Sequence, residues 1–283
     1  MQKIKESRAL SFLAVTLVYV ISCAVGVLFY KIIPMHFAWR LLFADIIATA
    51  VCFVFSLIFK NASVYDPYWS VQPPVILIGF AFSGISRVSL ILLLAVSFWG
   101  IRLTANWAYT FKGLCHQDWR YTMLKEKTGK LYPLVNFVGI HLVPTLVVYA
   151  CTLPAVFVTQ ETLMPNVLFV IFTFVSILAV LMQAIADIEM QSFRKRKEQG
   201  FIRDGLWKYS RHPNYLAEIL MWWGIGLAAI SLMPNRPYLL FGAVLNTLLF
   251  AFVSIPMAEK RQSKKRGFLK YKNATRVLLP FPK

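Results

Sequence analysis

Apolar stretches recur along the chain at roughly 9–30, 41–59, 68–84, 88–111, 135–158, 166–186, 214–232 and 237–257, and most reach the ~20 residues that cross a hydrocarbon core. Inside a bilayer every backbone N–H and C=O must be satisfied within the protein, and a single run of this length does so as a helix. The sequence therefore predicts an all-α, polytopic transmembrane bundle of about eight spans. Pro67, Pro73 and Pro74 interrupt the start of the third run. The first run is longer than the apolar segment of a signal peptide and lacks a convincing small-residue cleavage site, so it reads as a retained helix. Composition agrees, with 58% hydrophobic and 15% charged residues against about 25% charged in a soluble domain.

Basic residues stay on the cytoplasmic side during insertion. With the N-terminus inside, the segments 1–8, 60–67, 112–134, 187–213 and 258–283 face the cytoplasm and hold 25 of the 30 Lys and Arg residues; the opposite side keeps Lys31, Arg40, Arg87 and Arg236, and Arg102 lies within a span. Both termini are thus expected in the cytoplasm. The bias accounts for the net charge of +18 with no nucleic acid, although such a face would attract anionic membrane lipids or a phosphate-bearing cofactor. A bacterial inner membrane suits the compact tail, and an endoplasmic reticulum protein would carry the same bias. Four scattered cysteines without CxxC spacing and four dispersed histidines indicate neither a disulfide framework nor a metal site. With no repeat or low-complexity tract, one integral-membrane domain over 1–283 is the simplest organisation.

Polar residues inside spans are costly and become functional candidates. Asp45, Arg102, Asn106 and Glu218 stand out. Asp45 and Arg102 are expected either to pair with each other or to serve a site. Asn106 follows Arg102 by one turn, so both can line one cavity. Gln183, Asp187, Gln191 and Arg194 or Lys195 recur at three- and four-residue spacing as one polar stripe on a helix leaving the membrane; a solvated juxtamembrane face would read the same way. In "GLWKYSRHPNYLAE", Asn214 and Glu218 share a helix face, and Arg211 and His212 precede the helix, where an anion meets their donors and the positive dipole end. Gly224-Ile-Gly226-Leu-Ala-Ala229 matches the dinucleotide fingerprint by letters, but it lies inside a membrane helix, where small residues serve close packing. The final segment "EKRQSKKRGFLKYKNATRVLLPFP" is a polybasic tail whose Phe268, Leu269 and Tyr271 suggest that part of it folds back onto something planar.

"AD" before a basic helix, "GLWKYSRHPNYLAEILMWWG", "SIPMAEKR" and "YKNATRVLLPFP" closely resemble the C-terminal half of the membrane steroid 5-alpha-reductase-like family, distantly like isoprenylcysteine carboxyl methyltransferases. "DPYW" at 66–69, "WGIRLTANW" at 99–107 and "QDWRY" at 117–121 resemble its uncharacterised branch with the RHPNY motif. The likeness runs from residue 66 onward, is most specific over 183–224, and leaves 1–64 unmatched. It implies a reductase that holds NADPH in its C-terminal half, 135–283, and reduces a C=C bond conjugated to a carbonyl in a steroid or other lipid, with 65–134 on the substrate side. Matched residue by residue, Gln183, Asp187, Arg194, Arg211, His212, Asn214, Tyr215, Glu218, Arg261 and Tyr271 would contact the cofactor. The substrate-side glutamate and tyrosine of the steroid enzymes are not present as such, and nearest in position are Asp66 and Trp99. Hydride attack leaves negative charge on the substrate oxygen, so a protonated Asp66, Tyr68 or Tyr109 would stabilise it. Two alternatives are an S-adenosylmethionine-dependent lipid or isoprenylcysteine methyltransferase and a non-catalytic membrane protein that binds sterol or lipid. The methyltransferases share the RHPNY entry but typically place two adjacent acids where this chain has Glu259-Lys260.

Overall fold

The computed structural model describes residues 2–196 and 200–280. In chain order the helices are α1 Gln2–Glu6, α2 Arg8–Ile32, α3 Phe37–Ile58, α4 Tyr68–Ala81, α5 Arg87–Thr110, α6 Trp119–Thr128, α7 Tyr132–Val135, α8 Val143–Thr159, α9 Val167–Lys195, α10 Pro213–Leu232, α11 Phe241–Leu249, α12 Ile255–Gln262 and α13 Phe268–Ala274. One-turn π-helical segments join α7 to α8 and α11 to α12. Among the described residues there is no strand, and a single isolated bridge links Ser210 to Arg276. Seven helical stretches are long and apolar enough to cross a membrane: α2, α3, α5, Trp119–Thr159, α9, α10 and Pro237–Gln262. The protein is an all-α, multi-pass integral membrane protein.

The run at 68–84 differs from the expected full-length span. Its helix, α4, has 14 residues, about 21 Å at 1.5 Å per residue, and the cause lies just upstream. α3 stops where Lys60 adopts a left-handed φ of 50°, the usual way a helix is ended. Asn61 then donates through Nδ2 to the carbonyls of Leu114 (2.7 Å) and His116 (2.9 Å), at the level where Cys115 N meets Lys5 O. From there the 3₁₀ turn Ala62–Tyr65 is wholly buried. Its Val64 carbonyl accepts from Tyr19 OH at 2.8 Å, eleven residues into α2. Irregular backbone survives there because protein covers it, and α4 is too short to count among the membrane-length helices.

Packing divides the chain into two interleaved units, Met1–Ile76 with Leu103–Tyr149 and Leu77–Arg102 with Ala150–Lys283. The first unit has a core of Val15, Val18, Ala48, Cys52, Val64, Tyr65, Tyr68, Phe111 and Leu114. In the second, α9 and α10 run antiparallel in a register set by side chains. Asn166 donates to Ser231 O (2.7 Å), Ser176 to Met221 O (3.1 Å), and Gln183 to Glu218 (2.7 Å). A Cβ at Gly224 would fall 2.1 Å from Ser176 Oγ and 2.8 Å from Phe172 O. The "GIG" letters are therefore a notch for close helix packing, as the sequence context suggested.

Candidate functional site

The polar stripe of α9 faces the polar start of α10. Glu218 is 1% exposed. Its Oε2 accepts from Trp99 Nε1 (2.8 Å) and Gln183 Nε2 (2.7 Å), and its Oε1 from Trp222 Nε1 (2.9 Å). The two indoles meet edge to face at 4.8 Å. Three neutral N–H donors thus satisfy both oxygens of one carboxylate and fix it inside the helices. One turn further out, Arg102 Nη1 pairs with Asp187 Oδ2 at 2.6 Å, and the Asn214 side chain also bonds Asp187. Arg102 is therefore not the partner of Asp45. α5 delivers it to α9 at the level of Asp187, whereas Asp45 receives Tyr68 OH (3.3 Å) and Gln72 Nε2.

Arg102, Gln183 and Asn214 keep hydrogen-bonding capacity in reserve. Arg102 Nε and Nη2, Gln183 Oε1 and Asn214 Oδ1 are buried without a protein partner. Leaving such an atom unpaired costs about 1–3 kcal/mol, and Arg102 and Asn214, both bonded to Asp187, lie one turn along α9 from Gln183. Beyond them the helix carries Arg194, within electrostatic reach of Asp187. Burial, together with the neighbouring Arg261 and Arg194, lowers the pKa of Lys265. Three cations held near one another in this way suit an anion.

The residues around 211 and 271 do a different job from the one expected at a cofactor. Arg211 spends its guanidinium on Glu259 (Nε to Oε1, 2.6 Å) and on the carbonyls of Lys272 (2.9 Å) and Thr275. Lys272 Nζ reaches the other Glu259 oxygen at 2.9 Å, and His212 Nε2 lies 3.6 Å from Glu259. Backbone joins in, Arg211 N donating to Arg276 O (3.0 Å). Tyr271 OH donates to Trp207 O, and burial pushes its phenol up to about 12. Phe268 and Tyr271 pack on Phe201 at 5.2 and 5.1 Å, so the tail does fold back onto an aromatic ring, while Leu269 stays exposed. Tyr215 stacks on His212, with centroids 5.1 Å apart and planes 4° apart. Together these contacts clasp the C-terminal segment to the loop before α10.

The substrate-side candidates are dispersed. Asp66 caps the buried 3₁₀ turn and accepts from Tyr121 OH at 2.7 Å; burial raises its carboxyl to about 6. Tyr68 is bonded to Asp45. Tyr109 is 53% exposed, and Asn106 is half-buried. Trp99 and Arg102 belong with Glu218 and Asp187 in the second unit. Sequence reasoning missed Gln72, Trp222 and Lys265. Trp222 had a signal, since it follows Glu218 by one turn; Gln72 and Lys265 had none beyond residue type.

Residues 52–275 match a family described as a protein of unknown function, DUF1295. The chain belongs to this family of membrane proteins. It is also similar to an uncharacterized protein of Schizosaccharomyces pombe, at 26% identity over 236 residues, a match covering 69% of this chain and 63% of the relative. No solved structure matches it.

Proposed function

We propose that this DUF1295 membrane protein is a reductase that uses NADPH to saturate a C=C bond conjugated to a carbonyl in a lipid-soluble substrate. What carries the reading is the polar line on α9 and α10. It has unspent buried atoms of Arg102, Gln183 and Asn214 at one end and the cations Arg194, Arg261 and Lys265 at the other. From Gln183 to Arg194 the helix rises about 16 Å, which suits an elongated ligand with a neutral amide at its buried end and phosphate at its outer end. An amide presents one acceptor and two donors. The free N–H groups of Arg102 complement the acceptor; Gln183 Oε1 and Asn214 Oδ1 complement the donors. The outer guanidiniums complement phosphate oxygens, a group that S-adenosylmethionine lacks.

In this reading the dinucleotide supplies the hydride, and the chain's own residues bind, orient and exclude water. Glu218 is a positioning residue: by taking Gln183 Nε2 it leaves Gln183 Oε1 as the unspent amide atom. The apolar spans around the line keep water away and leave lipid-soluble substrates a route through the bilayer. The steroid 5-alpha-reductase-like motifs at 183–224 support the same assignment.

Thermal unfolding of the purified protein tests the reading, since a ligand stabilises only the state that binds it. NADPH is expected to raise the unfolding temperature and S-adenosylmethionine to leave it unchanged. Stabilisation by S-adenosylmethionine, or by neither, contradicts the proposal.

A further inference from the structure

The first unit holds a second buried polar cluster, which the reductase reading does not use. It lies where the buried 3₁₀ turn meets α3 and α4. Asp45 is 6% exposed and Gln72 7%. Gln72 Nε2 donates to Asp45 Oδ2, and Tyr68 OH donates to Oδ1 at 3.3 Å. Behind them Tyr68 also bonds Thr49, Thr49 Oγ1 lies 3.0 Å from Thr145 Oγ1, and that oxygen lies 2.7 Å from Tyr65 OH. Tyr65 stacks on Tyr68 at 5.2 Å, and Tyr19 meets Tyr68 edge-on at 5.5 Å. An intramembrane carboxylate and an aromatic wall therefore stand side by side.

What remains unspent defines the complement. The donors nearest Asp45 are already committed to it. Gln72 Oε1 is buried and without a protein partner. That reserve is an acceptor. Its partner must donate a hydrogen bond, whereas a ketone or ester carbonyl would set oxygen against oxygen. The remainder of that partner must be apolar to reach a site within the spans, and the tyrosine rings offer it flat contact.

We propose that Asp45 and Gln72 bind the hydroxyl group of a membrane-soluble alcohol, with Tyr68 holding the carboxylate in place and Tyr19, Tyr65 and Tyr68 lining the site. The inference is independent of the reductase reading. It is tested with matched pairs that differ in hydroxyl against carbonyl, 5α-cholestan-3β-ol with 5α-cholestan-3-one and 2-tridecanol with 2-tridecanone. A saturated ketone is also the product class of the proposed reductase, so the readout assigned to this site is the part of the alcohol-over-ketone preference that Gln72→Met removes.

Equilibrium binding to the purified full-length protein is followed by tryptophan fluorescence. At least one alcohol should bind about ten-fold or more tightly than its ketone, the worth of one hydrogen bond. Gln72→Met keeps the side-chain length and removes the acceptor, and Asp45→Asn replaces one acceptor oxygen by a donor; each should abolish most of that preference. Equal or tighter binding of both ketones, no binding of either alcohol, or a preference that survives in folded Gln72→Met overturns the proposal. The wild-type comparison decides even where a variant fails to fold.

Discussion

Each packing unit holds a carboxylate deep among its helices, Asp45 in the first and Glu218 in the second. Glu218 is gripped by three N–H donors on both oxygens, and its neighbour Gln183 presents the spare atom. Asp45 is gripped by two donors, one of which, Tyr68, has a second partner in Thr49. The contrast separates two uses of a buried acid. A carboxylate held by three donors acts as a fixed support for the side chains around it, whereas Asp45, held by two, stands beside the unspent Gln72 oxygen on which the proposed alcohol site rests. The same distinction divides Arg211, wholly spent on the C-terminal clasp, from Arg102, which keeps two nitrogens in reserve.

The contrast breaks first at Glu218. Glu218→Ala strands three buried donors and should cost about 3–5 kcal/mol of stability, whereas Asp45→Ala strands fewer and should cost about 1–3 kcal/mol. Unfolding by denaturant in mixed micelles measures both, and an equal or larger loss at Asp45 removes the distinction.

Arg211→Ala should cost about 3–4 kcal/mol, because Glu259 loses its buried partner and the tail loses its anchor. Limited proteolysis should then cut within 263–277 at a rate the wild type resists. An intact tail in the variant would return Arg211 to the pool of ligand-binding candidates.

Asp66 gives a smaller, pH-dependent effect. Its folded value of about 6 lies above the ordinary aspartate value of about 3.9, so the folded state binds the proton more tightly. The resulting stabilisation is fully present below about pH 4 and is lost as pH rises through about 6, a change on the order of 2 kcal/mol. Asp66→Asn should remove this component from the stability profile between pH 4 and 7. A wild-type profile that matches the variant's rules out the raised value.

Smallest in stability, yet sharpest for function, is Arg194→Ser at the exposed outer end of the line. Unfolding should shift by less than about 0.5 kcal/mol, while NADPH affinity should fall about ten-fold, as for the loss of one charge-assisted hydrogen bond.

Helical class and span placement were legible because membrane-length apolar runs admit few backbone solutions. The α9 stripe was legible because helical spacing puts Gln183, Asp187 and Arg194 on one face, and the antiparallel register brings Glu218 to Gln183. Partner choice was not. Nothing in the spacing of Asp45 and Arg102 says that one meets Gln72 and the other Asp187, since that depends on how deep each helix sits. The short α4 was hidden too: prolines flagged a disturbed start, but the buried 3₁₀ turn before it depends on contacts from Tyr19 and Asn61, and Tyr19 is remote in sequence. Arg211 misled for a related reason. An arginine before a helix suits an anion, and here the anion is the protein's own Glu259.

The central claim is that the polar line of the second unit receives a dinucleotide, and direct binding of NADPH tests it. Energy transfer from the protein's tryptophans to bound NADPH should be saturable in the wild type. In Gln183→Met, which removes the unspent amide oxygen, affinity should weaken about ten-fold. Absence of transfer in the wild type, or an affinity unchanged by Gln183→Met, would contradict the account.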